Sequence, residues 1–172
     1  LTPVQYTVAL WVLKEADPGA NWLFFVNKGN GSQRSYSIFH YYGSDLRFGL
    51  SLNTPSGTYT GATSASNLPT NSWHHLAATF DGRVATVYLD GVADASTTFS
   101  PPFDAWVNSD PLYIGSTYYG GSTIAGRIDD LRIYNRAMSP GEIAGVAGAA
   151  RGGREEPGVG ETGRPLDQRD KR

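Results

Sequence analysis

The chain has 172 residues, a formal net charge of −2 and no cysteine, enough for one domain to bury a core without metal or disulfide staples. The slight acidity leaves no basic field to attract a polyanionic backbone, which argues against nucleic-acid binding, and the lack of cysteine removes disulfides, thiolate catalysis and thiolate-metal sites together. The longest apolar run, Val8 to Leu13, is far short of the roughly 20 residues a membrane-spanning helix needs, so no membrane insertion is expected.

With 12% aromatic residues and 21 glycines against one methionine, the composition favours strands and turns, and an all-β fold is the default. Tyr6 to Lys14 reads as a strand with Tyr6, Val8, Leu10 and Val12 on one face and Ala9, Trp11 and Leu13 on the other. Both faces are apolar, which predicts a central strand covered on both sides. A turn cluster at Asp17-Pro18-Gly19-Ala20-Asn21 follows, then a short strand from Trp22 to Asn27 closed by Lys28-Gly29-Asn30-Gly31. Asn30-Gly31-Ser32 also matches a glycosylation sequon, a pattern too short to carry weight. Ser35 to Tyr42 and Leu46 to Leu52 flank the hairpin loop Gly43-Ser44-Asp45. In the second of these, Leu46, Phe48, Leu50 and Leu52 point one way and Arg47, Gly49 and Ser51 the other, so one wet face is expected. Residues 53–72 are rich in Asn, Thr, Pro, Ser and Gly and read as a long loop with at most a short irregular strand.

The most regular stretch is Trp73 to Gly91. Leu76, Ala78 and Phe80 alternate in its first half and Val84, Thr86 and Tyr88 in its second, the period of paired strands. Asp81-Gly82 between them suits a type I′ hairpin turn, and Asp90-Gly91 sends the chain back again. Val92 to Phe99 forms a further strand, Ser100 to Asp110 a second loop, and Leu112 to Ser116 and Gly126 to Asn135 the last strands, for about ten to twelve in all. That number at this spacing predicts a sandwich. Ser139-Pro140-Gly141-Glu142 is a capping box that starts one short helix, expected to end near Ala147. The domain is therefore placed at 1–148. Residues 149–172 hold 11 of the 30 charged residues and too few apolar groups to offset ordering entropy, so they read as a disordered charged linker.

Four ordered blocks carry a family resemblance: Trp73-His74-His75-Leu76-Ala77-Ala78-Thr79-Phe80-Asp81-Gly82, Val87-Tyr88-Leu89-Asp90-Gly91, Leu112-Tyr113-Ile114-Gly115, and Gly126 through Ser139 with Glu142-Ile143. Together with Tyr6-Thr7-Val8-Ala9-Leu10-Trp11-Val12, they resemble the laminin-G-like jelly-roll domains of the concanavalin A-like lectin/glucanase fold. The resemblance implies two curved antiparallel sheets packed face to face, in an exported or cell-surface multidomain protein. There such a module binds a glycan or an extracellular protein, or spaces other domains of the same parent chain. Family members commonly open with a strand that pairs near the terminal one and contributes to a calcium site. This chain starts after that strand, at Leu1 without a methionine or signal-like segment, so it reads as an excised piece, with an open sheet edge as the alternative.

Asp129 and Asp130 are the sharpest polar feature, flanked by Ile128 and Leu131 in a strand. Neighbours on a regular strand face opposite ways, so they do not make the two carboxyl groups about 5–5.5 Å apart that a retaining glycosidase needs. No same-face acidic pair occurs in any predicted strand, so no enzyme is expected. The resemblance implies that one of the pair, Asp130 above Asp129, ligates calcium, which takes six to eight oxygens. The competing reading pairs them with Arg127, Arg132 or Arg136 or has them cap loop amides. His74 and His75 alternate faces and make a poor metal pair, and no Gly-x-Ser-x-Gly elbow or His–acid constellation is argued from sequence. Aromatic rings on loops remain as ligand-binding candidates: Trp106, Tyr118, Tyr119, Tyr59 and Tyr42, the last beside Tyr41 at a strand end. Exposed rings can stack on sugar faces, and the bland alternative folds them back over the sandwich ends. Trp11, Trp22 and Trp73 are assigned to the core. A binding module is the reading this supports, with a structural spacer or an accessory module of a glycoside hydrolase as alternatives.

Overall fold

The computed structural model describes residues 5–16, 22–30, 33–41, 47–53, 59–99, 108–116, 120 and 123–149; the expected linker lies outside them, apart from Ala149. Among the described residues, ten strands and one helix follow in order: β1 Tyr6–Lys14, β2 Leu23–Asn30, β3 Gln33–His40, β4 Arg47–Asn53, β5 Tyr59–Asn67, β6 Trp73–Phe80, β7 Val84–Leu89, β8 Val92–Thr98, β9 Leu112–Ile114, β10 Gly126–Tyr134 and α1 Pro140–Ala149. They form two five-stranded sheets, ordered β10-β1-β6-β7-β8 and β5-β4-β3-β2-β9, and every strand pair is antiparallel. The all-β sandwich and the short C-terminal helix expected from sequence are what the chain forms.

The core lies between the sheets. In the first sheet, Leu10 pairs with Leu76 and Leu76 with Leu89, while Val8, Ala78 and Val87 make the next row. Opposite them stand Tyr36, Ile38, Phe48, Leu50, Leu52 and Ala62 of the second sheet, all buried in the same cluster. Tyr6 and Tyr36 meet across the layers with ring centroids 4.9 Å apart. Burial pushes both phenols up, Tyr36 to about 12, so they stay neutral. At one end Lys14 and His40 join the sheets, Nζ to Nε2 at 2.8 Å. The His40 Nδ1 lies 2.7 Å from the Tyr41 carbonyl, so Nδ1 donates to that carbonyl and Nε2 accepts from the lysine.

β1 is buried over its whole length, as its two apolar faces require. On the outer face of this sheet, Ile143 of α1 packs with Met138 on Ala9, Ala77 and Tyr88. The helix starts as its sequence dictates, with the Glu142 carboxylate accepting from the Ser139 amide and hydroxyl. It runs two residues past the expected end.

Four expectations are corrected. Residues 59–67 form a nine-residue edge strand rather than loop. Its small residues fit tight pairing: a Cβ at Gly61 would lie 1.7 Å from the Leu50 carbonyl oxygen. β4 has no wet face beyond Arg47, since Gly49, Ser51 and Asn53 are buried. Asp81-Gly82 is not a type I′ turn. Gly82 alone has positive φ there, and the Asp81 carboxylate accepts from the Arg83 and Val84 amides to close a three-residue loop. Asp90-Gly91 is the type I′ turn, with φ of 50° and 84° between the paired Leu89 and Val92. Finally, Trp22 is not core: it is 36% exposed.

Candidate functional site

Trp106, Tyr118, Tyr119 and Tyr42 lie outside the described residues. Tyr59 opens β5 opposite Asn53, and nothing is described of its side chain. The described aromatic surface is elsewhere, on the outer face of the second sheet. Phe24 pairs with Phe39, and Phe39 with Gly49, so these residues share a row turned away from the core cluster. Trp22 lies against Phe39 and Tyr41 with centroids 5.2 and 5.0 Å away, Phe39 and Tyr41 are edge to face at 5.0 Å, and Phe24 follows at 6.2 Å. Phe24 and Phe39 are buried and form the floor, while Trp22 and Tyr41 reach solvent. Tyr41 is held from both ends, by His40 at its carbonyl and by a 2.7 Å hydrogen bond between its hydroxyl and Thr63.

Two guanidinium groups sit on these rings. Arg47 is 5.5 Å from the Tyr41 centroid and Arg34 is 4.9 Å from that of Phe24, both within cation–π range. Arg34 reaches this face because β3 carries a bulge. Lys28 pairs with Tyr36 and Gly29 with Arg34, so Ser35 is the extra residue and the alternation resets. Between the rings and the strand ends lies a small polar row, in which the Ser37 hydroxyl donates to the Asn27 side-chain oxygen at 2.5 Å. Sequence reasoning passed over this corner because Trp22 precedes its strand and meets partners 17 and 19 residues away. The apolar run Trp22 to Val26, one ring too many for a one-sided strand, was the available signal.

Asp129 and Asp130 do not occupy ordinary strand positions. On β1, Ala9 pairs with Arg132 and Trp11 with Asp129, so Asp130 and Leu131 together oppose Leu10. Asp130 has φ 51°, the left-handed first position of a bulge type that usually takes glycine there. The bulge lets Ile128 and Ile133, five residues apart, both pack on the core. The Asp130 carboxylate is gripped by Arg132 through two bonds of 2.8 and 2.9 Å, and Asp129 Oδ1 accepts the Asp130 amide at 2.7 Å. Among the described residues no three His, Cys, Asp or Glu side chains gather in a way that could hold a metal. With a guanidinium on both Asp130 oxygens, this arrangement does not fit a calcium shell of six to eight oxygens. The described oxygen cluster closest in kind holds a lysine instead. The Lys28 ammonium donates to the Asn108 carbonyl and side-chain oxygens at 3.2 and 3.1 Å and to the Asp110 carbonyl.

One His–acid arrangement exists that sequence reasoning did not find. Ser72 Oγ lies 2.8 Å from His74 Nε2, and His74 Nδ1 lies 2.8 Å from Asp90 Oδ2. The other Asp90 oxygen accepts the His75 amide at 2.9 Å. The type I′ turn at Asp90-Gly91 brings this carboxylate back to the start of β6, which explains the contact as a clamp between turn and strand. Across the sandwich, Asp94 of β8 accepts from the amides of Ala65 and Ser66 and from the Ser66 hydroxyl. Partial burial opposes its ionisation, but these donors outweigh that and hold the carboxyl below its usual value.

Residues 1–144 match a laminin G family of the concanavalin A-like lectin/glucanases superfamily. The chain belongs to this family. The laminin-G-like domain is 23% identical over 144 residues to adhesion G-protein coupled receptor V1 of Danio rerio, a match that covers 81% of this chain and 2% of the receptor. Among solved structures it resembles domain 4 of AbnA, an extracellular GH43 arabinanase of Geobacillus stearothermophilus in complex with arabinotriose. The TM-score there is 0.69 at 23% identity, over 86% of this chain and 68% of that one. It also resembles the binding domain of Paraclostridial Mosquitocidal Protein 1, with a TM-score of 0.67 at 15% identity over 84% of this chain and 37% of that one. At these identities the structural likenesses establish the fold. No described helix is long and apolar enough to cross a membrane.

Proposed function

We propose that this laminin-G-like domain is a non-catalytic binding module of an extracellular or cell-surface protein, and that it holds a glycan against the rings of Trp22 and Tyr41, which rest on the buried Phe39. The observation that carries the reading is the partly exposed Trp22 indole fixed between two other rings. An aromatic face of this kind stacks on the apolar face of a sugar ring, and nearby polar groups take the hydroxyls. The receptor relative and the arabinanase domain, whose structure holds an arabinose trimer, support binding as the role and an exported parent chain as its setting. The arabinanase likeness also favours a second reading in which the module is accessory to a glycoside hydrolase encoded in the same parent chain. Trp106, Tyr118, Tyr119 and Tyr42, together with Tyr59 at the start of β5, remain proposed as additional contacts. No catalytic role is proposed for Asp129 or Asp130, because Arg132 holds both Asp130 oxygens and Asp129 Oδ1 is engaged by the Asp130 amide. Affinity electrophoresis through gels containing plant and bacterial polysaccharides tests the reading. Retardation by at least one polysaccharide, lost in Trp22→Ala, is expected. Equal mobility of both proteins in every gel contradicts it.

A further inference from the structure

We propose that Lys28 and Asn108 join covalently, the lysine amine displacing the asparagine side-chain nitrogen to form an isopeptide bond that ties the approach to β9 onto β2. The inference goes beyond the glycan reading and stands on what surrounds one lysine. β9 pairs with β2 as far as Lys28, opposite Leu112, so the residues just before β9 meet the lysine side chain. Lys28 is 5% exposed, and its ammonium donates to the Asn108 carbonyl and side-chain oxygens at 3.2 and 3.1 Å and to the Asp110 carbonyl. All three described acceptors are neutral, so the charge is held there at a cost that conversion to an amide removes. Asn108 Cγ is one bond from the oxygen that the lysine already touches. A small rotation therefore brings amine and carbon to the roughly 3–3.5 Å of a near-attack pair, and the fold holds the two reactants together. The carboxamide is also polarised for attack. The Asp110 amide donates to Asn108 Oδ1 at 3.2 Å, the oxygen on which negative charge develops. Asp110 is itself fixed to β2, its carboxylate accepting from Asn30 Nδ2 at 3.1 Å and its neighbour Pro111 accepting the Gly29 amide at 3.4 Å.

The step balances without a co-reactant. The bond between Cγ and Nδ2 breaks and one between Cγ and Nζ forms. Of the protons on the lysine ammonium, two leave with Nδ2 as an ammonium ion, and the last stays on the new amide, where it remains a donor for the Asp110 carbonyl. The Asp110 carboxylate, on the residue whose carbonyl and amide touch both partners, carries the protons between the two nitrogens. The product closes a loop across the 80 residues that separate the partners. In a chain with no cysteine, it supplies the kind of staple that a disulfide supplies elsewhere.

Mass spectrometry of the full chain, intact and after tryptic digestion, tests this. The expected intact mass is below that of the sequence by one ammonia. The digest should contain residues 15–34, uncut after Lys28, joined to residues 84–127, with fragment ions placing the link between Lys28 and Asn108. Asn108→Ala and Lys28→Arg should each show their full sequence mass, and Asn108→Ala should melt below the parent, having lost the staple. Asp110→Asn should lower the fraction of linked chains. A parent of full sequence mass that trypsin cuts after Lys28 overturns the proposal whatever the variants do. A deficit that persists in Asn108→Ala also overturns it, as does one that maps to a succinimide at Asn30-Gly31, which loses the same ammonia without joining two peptides. Complete linkage in Asp110→Asn overturns the part given to that carboxylate.

Discussion

The two readings of Asp130 separate cleanly when it is replaced by alanine and by glycine. As a calcium ligand, the residue matters for its carboxylate, and both substitutions remove that equally. As the first residue of a left-handed bulge, it matters for its backbone, and the two substitutions differ. Alanine keeps φ near 51° at a penalty of about 1–2 kcal/mol, of which aspartate, better tolerated there, already bears about half. It also loses the Arg132 ion pair, whose side chains are 39% and 26% exposed, which after solvent screening is about 0.5 kcal/mol. Asp130→Ala should therefore cost about 1–1.5 kcal/mol. Glycine loses the same ion pair and adds about 0.5–1 kcal/mol of unfolded-state entropy, but it relieves the positive φ and is the residue this bulge ordinarily takes. Asp130→Gly should stay within about 0.5 kcal/mol of the parent domain. Urea unfolding followed by tryptophan fluorescence, with and without millimolar calcium, reads the difference, which corresponds to about 2–4 °C in melting temperature for a domain of this size. A glycine variant at least as damaged as the alanine variant would refute the backbone account. So would a calcium-induced stabilisation of the parent that both variants lose, since binding to the folded state must raise stability.

Ile143→Ala should lower stability by about 2–5 kcal/mol, the usual cost of emptying a buried isoleucine site. A ten-residue helix containing Gly141, Gly145 and Gly148 has no stability of its own to fall back on, so a loss under 1 kcal/mol in thermal or urea unfolding would mean that the helix does not dock as described. Acid should destabilise the domain through Asp94 and Glu142, whose carboxyls are both held low, Glu142 at about 2 by Arg136 and by the Ser139 amide and hydroxyl. Because the unfolded chain binds these protons first, the stabilisation is complete above about pH 4.5 and drains away toward pH 2. Asp94→Asn and Glu142→Gln should each flatten the urea midpoint over this window, and an unchanged slope in both would count against the assignment.

The parts of the fold that were legible in the sequence are those fixed by neighbours in the chain. β1 announces itself by apolar residues on both faces, the β6–β7 hairpin by alternation around Asp81-Gly82, and α1 by a serine, a proline and a glutamate at capping distance. What was illegible depends on residues far apart. Between Tyr59 and Asn67, β5 is built of Thr, Ala, Ser and Gly, and only the close approach of Leu50 explains why a glycine at position 61 serves it. The bulge at Asp130 is invisible to a strict two-residue period, although the spacing of Ile128, Leu131 and Ile133 already breaks that period. The same dipeptide, Asp-Gly, makes a three-residue loop at 81 and a type I′ turn at 90, because the Asp81 side chain competes for the turn amides. The aromatic corner was missed for a related reason. From the sequence Trp22 reads as core, whereas its position at the open end of the outer face depends on where Phe39 and Tyr41 come to rest.

The account turns on whether Trp22 is a contact surface, and the most direct measurement is calorimetric titration of the parent domain and of Trp22→Ala with the polysaccharide that retards the parent in affinity gels. Unfolding curves of the two proteins serve as the control for the fold. The account predicts saturable binding by the parent, loss of at least tenfold in affinity on removing the indole, as stacking worth more than about 1.4 kcal/mol requires, and a melting temperature changed by only a few degrees. An alanine variant that folds and binds as tightly as the parent would contradict it.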